Sequence, residues 1–515
     1  MKSICLYFQI HQPFRLRTYR FFDIGEKHDY FDSYANKTIV RRVAEKCYLP
    51  ANKLMLELIK EYGSAFKISF SISGVALRQF EKYSPEVIES FKKLADTGYV
   101  EFLAETYSHS LASLKDEDEF RRQVTQHANL IEKLFGKRPT TFRNSELIYS
   151  DRIGHLVNQM GYNTMLTEGA KQILGWKSPN YLYCSATDPK LKLLLKNYQL
   201  SDDIAYRFSQ QNWKEWPLTA EKYTKWLCET DPAQEVINLF MDYETFGEHQ
   251  WAETGIFNFL KALPKQVFAI GQFTFNTPSE LSKVLQPISA ISVVDPISWS
   301  DEERDLTAWF GNDLQTEAFN SLYSAAERMS TCTDPELIRD WNYLQTSDHF
   351  YYMSTKWFSN GGLLSSHYNA YNSPYEAFIN YMNVVSDFLI RVENMLGKAK
   401  AKPKAPAKAV KTAKKPAIKS KSPVTTKENL KPGEMLRNLS AAEILAIEKK
   451  IGTPALALAV WNDSTADINN LQQVLNKESL TEFQNLLLQP AAPLKTDIDK
   501  ARKRLLDEVL KLKSR

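Results

Sequence analysis

Residues 236–249 read VINLFMDYETFGEH. The first six form a near-continuous apolar run of the kind found in a strand buried on both faces, and polar residues follow at once. The same texture opens the chain, where SICLYFQI (residues 3–10) runs into His11-Gln12-Pro13. It recurs in AFKISFSI (residues 65–72), where Phe66, Ile68, Phe70 and Ile72 alternate. Between such runs lie helical patterns. From Glu117 to Phe135, the residues Phe120, Val124, His127, Ile131 and Leu134 form one stripe, which Gly136 and Pro139 end. Strand and helix alternating over the first 290 or so residues predict an α/β fold with a parallel sheet, either a closed barrel or an open doubly wound sheet.

Beyond about Pro296 the strand signal fades. Three stretches, RDLTAWFGNDLQTEAFNSLYSAAERM, DPELIRDWNYLQTSDHFYYMSTKWF and SPYEAFINYMNVVSDFLIRVENML, carry helical spacing and predict a bundle packed against the α/β part. Residues 397–432 then hold twelve lysines, no arginine and one acidic residue (Glu428), with repeated prolines and few large apolar side chains. Such a segment buries too little to fold and repels itself, so it is expected to be a disordered spacer. Its charge of +11 exceeds the +4 of the whole chain, so the remaining residues are net acidic and no basic nucleic-acid-binding body is expected. The spacer lacks the arginines and interleaved aromatics of a nucleic-acid arm and reads as solvated. Residues 433–515 predict a small helical tail. Ser440 to Glu443 forms a candidate capping box, Gly452 and Pro454 a stop, and a last helix from Thr496 carries Ile498, Ala501, Leu505 and Leu512 on one side. A protein-docking module is the expected role.

The chain has 515 residues, 43% hydrophobic and 12% aromatic, enough for a large core and about three domains. No run of ~18 apolar residues and no leader-like start is present, so no membrane contact is expected. Five cysteines (Cys5, Cys47, Cys184, Cys228, Cys332) without CxxC spacing indicate neither a disulfide framework nor a zinc ribbon. A cytoplasmic protein is the default expectation.

Active sites of parallel α/β folds gather at the carboxyl ends of strands. Four places offer polar groups there: His11 after the first strand; Glu101, Glu105 and His109 in GYVEFLAETYSHS; Glu146 in TTFRNSELIYS; and Asp242, Glu244, Glu248 and His249 after VINLFM. Each alone is also what a helix cap or a solvated loop would show, but several on consecutive strand ends point to one cleft. Phosphate loops, a GxSxG serine and HExxH are absent, and the strand-end histidines are single rather than paired as metal ligands. Two carboxylates beside histidines and aromatics (Tyr107, Tyr149, Trp251, Tyr351, Trp357) fit glycoside hydrolysis best, one as nucleophile or base and one as acid. Core packing is the competing account of each aromatic.

These residues resemble glycoside hydrolase family 57, the α-amylase and 4-α-glucanotransferase group, over residues 1–396. The resemblance rests on His11-Gln12-Pro13, on Gly98-Tyr99-Val100-Glu101 with His109, on Glu146 in FRNSELIY, on Asp242-Tyr243-Glu244-Thr245-Phe246-Gly247, and on Asp348 in LQTSDHFYYM. WSDEERDLTAWFGN, with Trp299, Asp301 and Trp309, also resembles the amylase branch. It implies an incomplete (β/α)7 barrel (residues 1–295) and a helical domain completing the cleft (296–396), followed by the spacer (397–432) and the tail (433–515). It further implies Glu146 as nucleophile, Asp242 as general acid/base, and His11, Glu101, His109, Glu244, Trp299 and Asp348 as substrate-binding residues, with no metal or cofactor. The implied activity is retaining hydrolysis of α-1,4-glucans such as starch, glycogen or maltodextrin. Glucanotransferase or branching activity, a metal-dependent deacetylase or α-mannosidase on a similar barrel, and a non-catalytic glucan-binding protein are the alternatives. The carboxyl groups of a double-displacement pair should lie ~5 Å apart.

Overall fold

The computed structural model describes residues 1–356, 370–397, 441–459, 475, 479, 500–505 and 511. One compact unit comprises Met1–Pro403 and a second Lys404–Arg515. The spacer proposed at 397–432, apart from Gly397, lies outside the described residues, as do Trp357 and Ser440.

The strands in chain order are β1 (Lys2–Ile10), β2 (Ile68–Ile72), β3 (Val100–Phe102), β4 (Thr141–Arg143), β5 (Thr164–Glu168), β6 (Tyr183–Ser185), β7 (Lys192–Lys196), β8 (Val236–Asp242), β9 (Phe273–Phe275) and β10 (Ala290–Ile291). Parallel ladders join β3, β2, β1 and β8 in that order, and β4, β5 and β7 in a second row. The rows meet at two seams. At one, Ala104 N–H donates to Thr141 C=O (2.9 Å) and Arg143 N–H to Ala104 C=O (2.8 Å). At the other, Asn197 N–H donates to Asn238 C=O (2.9 Å) and the Asn238 amide to Leu195 C=O (2.9 Å), in place of a full ladder. β1, β2, β3, β4, β5, β7 and β8 thus close into a seven-stranded barrel, incomplete at the β7–β8 seam. Of the two architectures left open by the alternating pattern, the barrel is the one formed. β9 pairs with the start of β1, β6 runs antiparallel to β7, and β10 pairs with β6.

Register explains the strand textures. Tyr7 pairs with Ser69 and Phe240, and Gln9 with Ser71 and Asp242. Tyr7, Leu103, Leu166, Leu194 and Phe240 belong to one buried cluster that plugs the barrel, whereas Ile68, Phe70, Ile72, Ile237, Leu239 and Met241 pack outward against helices. The alternation in β2 is therefore not a buried face opposite a solvent face. Its serines face the barrel lumen and are as buried as its apolar residues.

Glu117–Phe135 forms one helix, as its stripe predicts. Asp116 accepts from Glu119 N–H at its start, and Gly136 (φ 75°) takes the left-handed turn at its end. The bundle comprises Thr307–Phe310, Asp313–Tyr323, Ala326–Met329, Pro335–Leu344, Ser347–Tyr351 and Pro374–Leu396. Its Trp309, Trp341, Phe350 and Phe388 share a buried cluster with Tyr149, Ile153 and Met165 of the barrel side. That shared core fixes bundle residues against the strand ends.

In the second unit, Ala441–Ile451 is helical, Gly452 (φ 81°) breaks it, and Thr453–Ala459 follows. Ile444, Ile447, Leu456, Ala501 and Leu505 are buried. Ile498 and Leu512 lie outside the described residues.

Candidate active site at the carboxyl ends of the strands

Seven of the eight site residues expected from the sequence come together above the apolar plug. Glu146 follows β4 in a short turn with φ 57°, and Leu147 follows with φ 52°. Non-glycine residues in the left-handed region cost about 1–3 kcal/mol each and persist only where surroundings enforce them. Here the enforcement is visible. Trp299 N–H donates to Glu146 C=O (3.1 Å), and Tyr149 and Ile297 exchange a main-chain pair (3.1 and 2.9 Å). The Glu146 carboxylate then receives Trp299 Nε1–H at 2.8 Å, Ser347 Oγ–H at 3.1 Å and the His109 ring nitrogen Nε2 at 3.2 Å.

His109 (φ 52°) also lies in the left-handed region, and its carbonyl accepts Ser347 N–H at 3.0 Å. Its Nδ1 faces Glu105 Oε2 at 2.9 Å. The His11 ring stacks on it, with centroids 4.2 Å apart, and His11 bonds Ser73 Oγ (2.7 Å) and Asp348 Oδ2 (2.9 Å). Asp348 thus ties the bundle to the end of β1.

Asp242 ends β8 and keeps part of its surface open. It makes no side-chain hydrogen bond to a described residue. Burial, then the charge of Glu146, raise it to about 6 against the opposing charges of Arg143, Lys196 and His109. Glu146 behaves oppositely. Burial pushes it up, but the hydrogen bond and charge of His109, with Arg143 and the Trp299 N–H, outweigh that and hold it below the usual range. His109 is lowered by burial and raised more by Glu105 and Glu146, reaching about 9. Glu244 is raised to about 8 by burial and by Asp242, against a hydrogen bond from Tyr48 Oη–H (2.5 Å). Near neutral pH the site therefore holds one carboxylate kept ionised (Glu146), one poised to carry a proton (Asp242), and one protonated (Glu244). Gly247 completes this turn. A Cβ there would meet the Lys46 carbonyl oxygen at 1.9 Å, and φ is 111°.

Glu101 stands apart and is a correction to the sequence expectation. Its carboxylate accepts Thr141 Oγ1–H (2.6 Å) and Ser279 N–H (3.0 Å). It therefore caps the helix Pro278–Val284 at the level of Ser69, below Leu103. Strand parity puts residues 101, 103 and 105 on one inward row, and register, which the sequence does not show, puts only Glu105 at the mouth. Of the aromatics, Tyr107, Tyr149 and Trp309 are core residues, and Trp251 is exposed on the surface (59%) beside Lys46.

Several residues were not anticipated. Arg143 is fully buried beneath Trp299, its guanidinium 4.8 Å from the ring centre and without a hydrogen-bond partner among the described residues. Lys196 lies 5.2 Å from the same ring and pairs with Asp202 (2.8 Å), and Arg304 joins Asp202 (3.2 Å) and Glu168 (3.3 Å). Burial raises Glu168 to about 7 despite Lys196 and Arg304. Glu168 and Lys196 are the last residues of β5 and β7, so the strand-end rule points to them once TMLTE and KLLLK are read as strands. Among the described residues no group of three His, Cys, Asp or Glu side chains is arranged to hold a metal ion.

Known proteins place the chain in a family. Residues 5–293 match the model for glycosyl hydrolase family 57. A protein of Methanocaldococcus jannaschii named "Putative alpha-amylase" is 41% identical over 408 residues, covering 76% of this chain and 85% of the relative. Among solved structures, a family 57 branching enzyme from Thermococcus kodakaraensis superposes with a TM-score of 0.55 at 14% identity, over 78% of this chain and 92% of that one. A 4-alpha-glucanotransferase from Thermococcus litoralis gives 0.50 at 13% identity over 68% of this chain, which spans about half (56%) of that enzyme's length. At such identities the structures speak for the fold alone. The family match covers more than half of the chain, coincides with the barrel and includes both acids, and on it the chain belongs to glycosyl hydrolase family 57.

Proposed function

We propose that this chain is a retaining, metal-independent hydrolase of α-1,4-glucans, of α-amylase type, with Glu146 as nucleophile and Asp242 as general acid/base. The single observation carrying the proposal is the separation of the two acids in charge. Glu146 is held ionised by His109 and Trp299, and Asp242 is raised to about 6 by burial and by Glu146 itself. Double displacement needs this division. In the first step Glu146 attacks C1 as the C1–O bond breaks and Asp242 gives its proton to the leaving oxygen. In the second, water attacks C1, its proton passes to Asp242, and the C1–Glu146 bond releases its electron pair to the carboxylate.

His11, His109, Glu244, Trp299 and Asp348 surround the pair and are proposed to bind the sugar at the cut. Glu244, raised to about 8, would donate rather than accept a hydrogen bond. The name of the M. jannaschii relative favours the amylase assignment. Transfer is the second reading, the activity named for a branching enzyme and a glucanotransferase that share this fold. Five free cysteines fit a reducing, cytoplasmic setting, and a docking role for residues 433–515 belongs to the same proposal. Chromatography of the products from maltoheptaose tests it. Shorter maltooligosaccharides alone support hydrolysis, longer ones replace it with transfer, and an unchanged substrate removes the assignment.

A further inference from the structure

We propose that Glu105, buried behind His109, is a positioning residue for the glycosidic reaction, acting through His109 to keep a positive charge against Glu146. The inference rests on Glu146 being the nucleophile.

The geometry is a relay of three side chains. Glu105 Oε2 meets His109 Nδ1 at 2.9 Å, and His109 Nε2 meets Glu146 Oε1 at 3.2 Å. A neutral imidazole has one N–H and can donate to only one of two carboxylates, whereas an imidazolium donates to both. Glu105 is 0% exposed, so water does not share its charge. Its other hydrogen-bond partner among the described residues is the Gln9 amide, 3.2 and 3.4 Å from its two oxygens. His127 does not neutralise it, because His127 Nδ1 accepts the Glu105 main-chain N–H (3.2 Å) and Nε2 donates to Ile72 C=O (2.8 Å), the pattern of a neutral ring. Among the described residues, the other titratable and charged groups that act on the relay are Arg143 beneath it, Asp242 near Glu146, Tyr7 near Glu105, and the stacked His11, which burial and His109 hold low, with its partner Asp348. His109 itself cannot shift, since its left-handed backbone is tied to Ser347.

The relay has a consequence during turnover. When Glu146 becomes the ester of a glycosyl-enzyme it loses its charge, and a buried imidazolium facing it would be stranded. Glu105 remains as the counter-ion. His109 therefore stays charged to receive the Glu146 carboxylate again as the C1–Oε bond breaks, so the effect reaches both steps.

The test uses the full chain with Glu105→Gln and Glu105→Asp. In Glu105→Gln the new side-chain amide still accepts from Gln9 and donates to His109 Nδ1. That leaves Nε2–H on Glu146, so the hydrogen bond survives while the charge is lost. The His109 ring of this variant, followed by NMR in the absence of substrate, should lose its proton only in the acid range where Glu146 itself titrates, instead of near 9. The acid limb of kcat/KM should move up by about one pH unit; because the Glu146 limb starts below the ordinary carboxylate range, this costs at most about threefold at pH 5, approaches about tenfold only well below the wild-type limb and is negligible at pH 7, with KM nearly unchanged. Glu105→Asp keeps the charge and should retain the wild-type acid limb. A wild-type acid limb and an unshifted His109 in Glu105→Gln would overturn the proposal. So would a displaced acid limb in Glu105→Asp, or a loss in Glu105→Gln that is uniform across pH. An inactive wild type would instead sink the glycosidase assignment, and the His109 titration would still decide the relay.

Discussion

Glu101 and Glu105 stand on the same inward row of β3 and its extension, with Leu103 between them, and their surroundings differ entirely. Glu101 lies at the floor of the barrel, satisfied by Thr141 Oγ1–H and by a helix N-terminus at Ser279. Glu105 lies at the mouth, where its side-chain partners are an imidazole and an amide and where the charge of Arg143 acts on it. An apolar layer of Tyr7, Leu103, Leu166, Leu194 and Phe240 separates the two ends. Among the described residues, the non-glycine residues with positive φ, His109, Glu146, Leu147, Asp301 and Arg304, belong to the loops of the mouth. Below the plug, polar groups stabilise; above it, they are held in costly arrangements whose use is chemical.

The contrast can be broken most forcefully at the mouth. Glu146→Gln and Asp242→Asn should each lower kcat on maltooligosaccharides by about three orders of magnitude or more, with unfolding midpoints close to wild type. Retained hydrolysis in both purified variants would leave the mouth without its assigned chemistry. A smaller effect is expected from pH. Glu146 must be ionised, so activity falls below its depressed pKa. Asp242 must carry a proton, so activity falls as pH rises through about 6. The kcat/KM profile should be a bell whose alkaline limb falls about tenfold per pH unit above ~7, and a flat profile from pH 5 to 8 would contradict the charge separation. The smallest effect belongs to the floor. Glu101→Gln keeps an acceptor for Ser279 N–H but removes the charge at a helix N-terminus. It should cost about 1–2 kcal/mol in urea unfolding and leave kcat and KM within twofold. A kinetic defect without a stability loss would place Glu101 back in the site.

Much of this was readable from residues alone. The continuous apolar run at 236–241 and the strands at the chain start and around residue 68 mark a parallel α/β fold, because such strands are covered on both faces. The stripe from Phe120 to Leu134, stopped by Gly136 and Pro139, marks the helix Glu117–Phe135. The acids at 146 and 242 were legible because each stands at or just after the end of a strand. Glu101 was misplaced because a carboxylate near a strand looks the same in sequence whether it sits at the strand's entry or its exit. Lys196 and Glu168 escaped notice because TMLTE and KLLLK hold only two and three apolar residues and end in the charged residue itself, and Arg143 because a buried arginine inside TFR has no pattern of its own.

The sequence by itself determined the order of strands and helices, the residue types at the strand ends and the break near Gly397, since periodicity and charge are local properties. Only the tertiary structure decided that the sheet closes, at which level each inward side chain lies, and that His109 is gripped by two carboxylates. Those depend on register between strands far apart in the chain, where a shift of one residue turns every side chain to the other face, and on the field of charges that register brings together.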